Sequence, residues 1–439
     1  MSTTMLKSQE AHLGAQTIES DYHHHPSELV KGGEVSGQYT TKDLIDAIPP
    51  HCFAPTYGRS LWYFTRDFAV AGTAMYVSYN YIPLIRITAL RWVAWLTYGY
   101  FQGQQFTGIW ALGHDAGHGA FLPNTFLNGM MGWIFHSLTL TPYFSWQSTH
   151  RRHHIYANNL AKDHNYVPPQ ADTYAQLMGV NLDKIDELTE DAPLVTFVRI
   201  IIQQVFGFPW YLLANITATQ GSLAAGKTKN APSRLPFGNS HFLPTSSLFR
   251  PEEAHLILAS DVGLAMTIAG LWYASTIFGW STVALLYIQP YLWLNHWIVC
   301  LTYLHHTHPD LPKYEPEAWT FLKGATATID RGLGFGGKHL MHNVADFHVI
   351  HHLFSRIPQY HAEEATRAIQ PLLGEAYHED KNRVIWSCLW ESFTKCQYIV
   401  PSDPKASPAD RVMVYRGGPS PPIELNMGRS GLKSKHNLS

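Results

Sequence analysis

Apolar and polar positions in this chain come in long blocks rather than in the short periods of a soluble domain. Residues 68–84, "FAVAGTAMYVSYNYIPL", and 92–112, "WVAWLTYGYFQGQQFTGIWAL", each approach the roughly 20 residues a helix needs to cross ~30 Å of hydrocarbon. A second pair, 256–278 and 281–304, is joined by a short uncharged turn, and Pro290 within it is tolerable if neighbouring helices satisfy the freed carbonyl. Gln102, Gln104 and Gln105 interrupt the second run, which predicts a stripe facing an interior or cavity. Two weaker runs, 126–142 and 199–216, are shorter or broken by Pro209 and read as interfacial or re-entrant helices. The expected fold class is all-α: an integral membrane protein of about four transmembrane helices plus interfacial helices.

The flanks are polar. Residues 1–45 are Gly-, Ser- and Thr-rich and predict a disordered tail that contains "HHH" at 23–25, and 401–439, rich in Pro, Ser, Gly and Lys, predicts a second. Residues 46–400 then form the membrane domain. "MSTTMLKSQEAHLGAQ" lacks the apolar core of a signal peptide, so insertion is expected to use internal segments. Charged residues make up only 15% of the chain, below the roughly 25% of soluble domains. The net charge of −2 leaves no basic field for nucleic acid. Cys52, Cys300, Cys388 and Cys396 are widely spaced, so reduced thiols are expected rather than a disulfide framework.

The 26 histidines are the compositional oddity, and they lower the mean hydropathy enough to mask the membrane signal. "HDAGH" sets His114 and His118 four apart. "HRRHH" places His150, His153 and His154, and "HVIHH" places His348, His351 and His352, at i, i+3, i+4. Such spacings put imidazoles on one helix face. A further group, "LHHTHP", offers His305, His306 and His308 at the end of the last apolar run. Eight or nine imidazoles exceed one metal's needs and suit two ions of five or six ligands each. Imidazole alone leaves Zn, Cu, Fe and Ni open. A zinc protease is disfavoured because Asp115 stands where an HExxH helix needs its Glu. Burying so many unliganded rings would cost several kcal/mol. Asp115, Asp163 and Asp346 are candidates to hold the imidazoles' second nitrogens, while His136, His164, His241, His255, His339 and His361 read as surface or supporting residues.

If the clusters share one site they lie on one membrane side. The two weaker runs then cannot cross, and four crossings suffice. Both tails, residues 155–192 and the loop 217–255 fall on the same face and carry nearly all the Lys and Arg, which makes that face cytosolic, with a helical cap bearing the histidines. A histidine-rich dimetal site at a membrane face points to iron, dioxygen and an apolar substrate.

The three clusters, in this order, resemble the histidine boxes of the membrane fatty acid desaturases. "KDLIDAIPPHCF" (42–53), "IFHSLTLTPYFSWQSTHRRHH" (134–154), "LTYLHHTHPDLP" (301–312) and "MHNVADFHVIHHLFSRIPQYHAEEAT" (341–366) are similar to the microsomal delta-12 (oleate) desaturase branch. The likeness spans roughly 40–400. One departure is Asp115-Ala116, where that branch has Glu-Cys. The resemblance implies a diiron site ligated by His114, His118, His150, His153, His154, His348, His351 and His352, with His306 the choice over His305 and His308 for a ninth ligand. It implies O2 as oxidant, a phospholipid-linked oleoyl chain as substrate, and electrons from external cytochrome b5 and its NADH-dependent reductase. Arg151, Arg152 and Lys162 are candidates to meet that donor or lipid phosphates. It also implies the endoplasmic reticulum. Delta-15 (omega-3) and bifunctional desaturases, hydroxylases and acetylenases share the scaffold. A histidine-rich metal transporter is the reading from another class. "GLGFGG" (332–337) reads as a flexible turn.

Overall fold

The computed structural model describes residues 39–179, 193–218 and 238–416. The expected tails at 1–38 and 417–439, with the His23–His25 run, lie outside the described residues. Short α1 (Thr41–Ala47) opens on a capping box in which Thr40 and Asp43 satisfy each other's backbone N–H. α2 (Tyr57–Tyr81) and α3 (Thr88–Gly117) form a hairpin of 25 and 30 residues, roughly 37 and 45 Å long. α4 (Thr125–Leu138) and α5 (Tyr143–Tyr156) have 14 residues each, about 21 Å and too short to span ~30 Å of hydrocarbon. α6 (Ala171–Met178) and α7 (Pro193–Ala214) follow. α8 (Ala254–Phe278) turns at Gly279 into α9 (Trp280–Val283), a π-helical turn over Ala284–Ile288, and α10 (Gln289–His306). The carbonyl of Leu286, left without a donor by Pro290, accepts from Tyr98 Oη at 2.8 Å, so a neighbouring helix supplies the missing bond as the sequence required.

Beyond α10 the chain builds a cap from α11 (Phe321–Thr326), α12 (Gly334–His339), α13 (His348–Leu353), α14 (Gln359–Leu373) and α15 (Ile385–Lys395). Strands β1 (Lys313–Tyr314), β4 (Ile399–Pro401) and β5 (Val412–Tyr415) pair in the order β1-β5-β4, antiparallel. β2 (Ile329–Arg331) and β3 (His378–Asp380) pair in parallel. The protein is mainly helical, as its patterning predicts.

α3 is the axis. Every residue from Gln102 to Ala116 is buried, the three glutamines included, between α2, α4 and α10. Its first turns instead expose Leu90, Trp92, Val93 and Leu96. Trp62 and Tyr76 of α2 and Met266 and Trp272 of α8 are exposed as well, so large apolar side chains face outward on three helices.

Some expectations hold in part and others are corrected. Among the described residues, α7 and Pro251–Phe278 are the two helices long and apolar enough, by length and composition, to cross a membrane. α2 and α3 have the length but carry charged groups such as Arg66, Asp67, Arg91 and Asp115. α7 continues as helix through Pro209. It lies along α10: Ile200 clusters with Tyr303, Leu304 and Leu389, Phe208, Tyr211 and Leu212 cluster with Leu294, Ile298 and Val299, and Tyr211 Oη donates to Thr149 Oγ1 at 3.3 Å. Residues 401–416 are no tail, since β5 buries Met413 and Tyr415 against the cap, a non-local pairing that composition cannot reveal. Residues 41–45 likewise belong to α1. "GLGFGG" is not a turn; it starts α12, whose Gly336 backbone packs against Gln104. All four cysteines are free and buried.

α12 can approach because α3 is notched there. A Cβ on Gly108 would run into the carbonyl oxygen of Leu340, a backbone atom that cannot rotate away. Gly108→Ala should cost about 1–3 kcal/mol, measured as a lower thermal midpoint in detergent. Gly72→Ala, with open space around it, should match or slightly exceed the parent.

Candidate metal centre

Four helix segments converge on one buried volume. The C-terminal turn of α3 delivers His114 and His118, α5 delivers His150, His153 and His154, α13 delivers His348, His351 and His352, and the end of α10 delivers His306. α13 is only six residues long and is held from outside: the N–H of Val349 donates to Asp330 at 2.8 Å, and the Arg331 N–H donates to the Ala345 carbonyl at 2.9 Å. The end of α10 is closed by buried Lys313, whose ammonium donates to the His306 carbonyl at 2.7 Å, a cation at a helix C-terminus.

The rings form two adjoining groups. One nitrogen from each of His114, His118, His150, His154 and His351 lies within 4.8 Å of the other four. His153, His306 and His352 meet the same condition, and His348 Nε2 is 3.2 Å from His306 Nε2. His154 and His352 stack at 4.2 Å between ring centroids, so the groups touch. All nine predicted positions are thus brought together. Of the alternatives to His306, His305 turns its Nε2 to the Ala345 carbonyl at 3.1 Å, and His308 Nδ1 accepts from the Asp310 N–H.

Burial first, and then the neighbouring rings, pushes His150, His154, His348, His351 and His352 well below the ordinary histidine pKa. They are therefore neutral, the form that ligates a metal. The Nε2 atoms of His118, His351 and His352 are buried without a hydrogen-bond partner. His153 Nε2 and His306 Nε2 face each other at 3.1 Å. Buried nitrogens left without donors or acceptors are costly, and a cation among them removes that cost. An all-imidazole set of five plus four, with no thiol, fits two first-row divalent ions.

Supporting groups fix some rings. Asp163 accepts from His153 Nδ1 at 2.7 Å, and Asp115 Oδ1 lies 3.3 Å from His114 Nδ1. Asp346 makes no such contact; a carboxylate oxygen of it is buried without a partner. His136, His164, His241 and His361 are buried, and His255 and His339 are exposed. His136 Nε2 contacts the Trp110 carbonyl at 3.1 Å, and His241 Nε2 contacts Thr149 at 3.1 Å. Arg152 departs from its expected docking role: it turns inward to Ser148, while Arg151 and Lys162 stay exposed. Sequence reasoning missed a trio in which buried Asp67 meets buried His342 at 2.6 Å and half-buried Arg66 at 2.7 Å. The signal was present, because a charged pair inside an apolar helix needs a partner.

The structure thus sets a buried all-histidine pocket at one end of a helical bundle with many exposed apolar side chains. Residues 87–381 match the family model described as fatty acid desaturase. The chain is 37% identical over 86% of its length to an oleate hydroxylase of Claviceps purpurea, covering 81% of that protein. It is 36% identical over 82% of its length to a delta(12) fatty acid desaturase of Mortierella alpina, covering 88% of it. It is also 36% identical over 83% of its length to an omega-6 fatty acid desaturase, endoplasmic reticulum, of Brassica juncea, again covering 88%. The chain belongs to the fatty acid desaturase family and is an oxidoreductase.

Proposed function

We propose that the protein is an integral membrane acyl-lipid desaturase that inserts a cis double bond at the delta-12 position of oleoyl chains. In this reading His114, His118, His150, His154 and His351 hold one iron, and His153, His306, His348 and His352 hold the other. The observation that carries it is the meeting of nine imidazoles in one buried volume of a chain related to delta(12) desaturases. The reaction takes a CH2–CH2 unit, O2, two electrons and two protons to a CH=CH unit and two waters. When bound, the iron pair would supply dioxygen activation and hydrogen removal from an unactivated C–H bond. The chain's own part is to present lone pairs and keep water out. Burial keeps His150, His154, His348, His351 and His352 unprotonated. Asp163 keeps a proton on His153 Nδ1 and so frees Nε2.

Four crossings, by the hairpin α2/α3 and by α8 with α9/α10, return every box to one side. The bond from Tyr211 of α7 to Thr149, next to the second box, supports that helix's remaining on that side. A cytosolic face, the endoplasmic reticulum and external cytochrome b5 with its NADH-dependent reductase complete the proposal. Exposed Arg151 and Lys162 beside the second box offer cationic groups to an acidic donor or to lipid phosphate. Delta-15 or bifunctional desaturation uses the same groups. A metal transporter is disfavoured because the rings gather at helix ends inside a cap, not between spans at the membrane midplane.

The oleate hydroxylase of Claviceps purpurea, similar over most of the chain, favours a second reading. There one oxygen atom enters a CH2 unit as hydroxyl and the other leaves as water. Expression in a host that makes oleate but no polyunsaturated acid, with its own cytochrome b5, separates the two. Gas chromatography should reveal linoleate. A hydroxy acid in its place selects the second reading, linolenate selects omega-3 or bifunctional activity, and no new acid from membrane-inserted, iron-loaded protein rejects all of these.

A further inference from the structure

A separate set of metal-type donors joins the N-terminal entry of the domain to α14. His51 and Cys52 sit on the 3-10 turn Pro50–Phe53, and His361 and Glu364 lie three apart on one face of α14. One donor atom from each lies within 4.8 Å of the other three. His51 Nε2 is 2.9 Å from Glu364 Oε2 and 3.8 Å from Cys52 Sγ, and His361 Nδ1 is 3.7 Å from Glu364 Oε2. A tetrahedral ion with bonds of ~2.0–2.3 Å has ligand-to-ligand edges of roughly 3.3–3.8 Å. Cys52 and His361 are buried, while His51 and Glu364 are about half-exposed and give an ion a way in.

We propose that His51, Cys52, His361 and Glu364 form a binding site for one zinc-class divalent ion, distinct from the nine-histidine centre. Calcium and magnesium take oxygen ligands, so a thiol with two imidazoles selects against them. On binding, the ion displaces the Cys52 thiol proton to solvent and forms a sulfur–metal bond, with no change of oxidation state. Ligation through His361 Nδ1 puts that ring's proton on Nε2, which now lies 3.3 Å from Arg59 Nη1. Arg59 must then turn outward, which its exposed position permits. The ion would clasp segments 313 residues apart in sequence and brace the helix that follows the third histidine box.

The test uses the full, iron-loaded chain in detergent with His23, His24 and His25 replaced by Ala, so that the N-terminal histidine run binds nothing. Titration with Zn2+ alone should fill one site per chain beyond the iron, and Co2+ should add a near-ultraviolet thiolate-to-cobalt band. Cys52→Ser should remove that band with iron content unchanged. His51→Gln, at an exposed position, should weaken Zn2+ binding more than about tenfold, since even supporting groups cost that much. If Cys52→Ser also loses iron through misfolding, His51→Gln decides alone. No ion beyond the iron, or an ion bound equally well by both variants, overturns the proposal.

Discussion

His351→Ala should leave the protein in the membrane at normal level and reduce new fatty acid below detection, a loss of more than about 100-fold. Supporting residues of metal sites already cost 10–100-fold, and His351 belongs to the five-ring group itself. Its ring centre lies 4.5 Å from His114, 4.9 Å from His118 and 4.5 Å from His154, and its Nε2 is buried with no other partner. The backbone bonds that hold α13 run through Val349 and Ala345, so the fold around the pocket should survive. Fatty-acid profile and iron per chain are measured together, with exposed His339→Ala as the control that should retain both. Unchanged product from His351→Ala would remove that ring from the ligand set.

The boxes were legible because residues three and four apart share a helix face, and helices do carry them. The glutamines of α3 were legible for a related reason: three amides inside an apolar run need an interior. Lost to sequence reasoning was whatever depends on contacts between distant segments. α2 begins eleven residues before the apolar run does because Asp67, which ends that run in sequence, is neutralised in space by Arg66 and His342. α12 is helical although glycine-rich because α3 lacks a side chain at Gly108, where Leu340 comes in. β5 is ordered because β1 and β4 supply its hydrogen bonds. The choice of His306 over its neighbours depends on which way the last turn of α10 faces, and that becomes visible only once His153 and His348 lie beside it.

Asp163→Asn tests whether the tautomer of His153 is set from outside the ring. Three donors converge on the buried Asp163 carboxylate: His153 Nδ1 at 2.7 Å, the Asn165 N–H at 2.9 Å and the Asn158 N–H at 2.8 Å. An amide has one acceptor oxygen in place of two. With that oxygen toward His153, its NH2 meets the Asn158 N–H, donor against donor, at a cost of about 1–3 kcal/mol. Flipped, its NH2 meets His153 Nδ1, which must then give up its proton to Nε2. That proton would occupy the lone pair aimed at His306 and needed by a metal. Either outcome should weaken iron binding at the His153 side by about 10–100-fold, with a matching fall in product that excess iron partly restores. The five-ring group lacks this dependence, so iron analysis should find the loss confined to one of the two ions. Equal loss of both, or none, would mean that Asp163 braces the loop after α5 and leaves the imidazole unaffected.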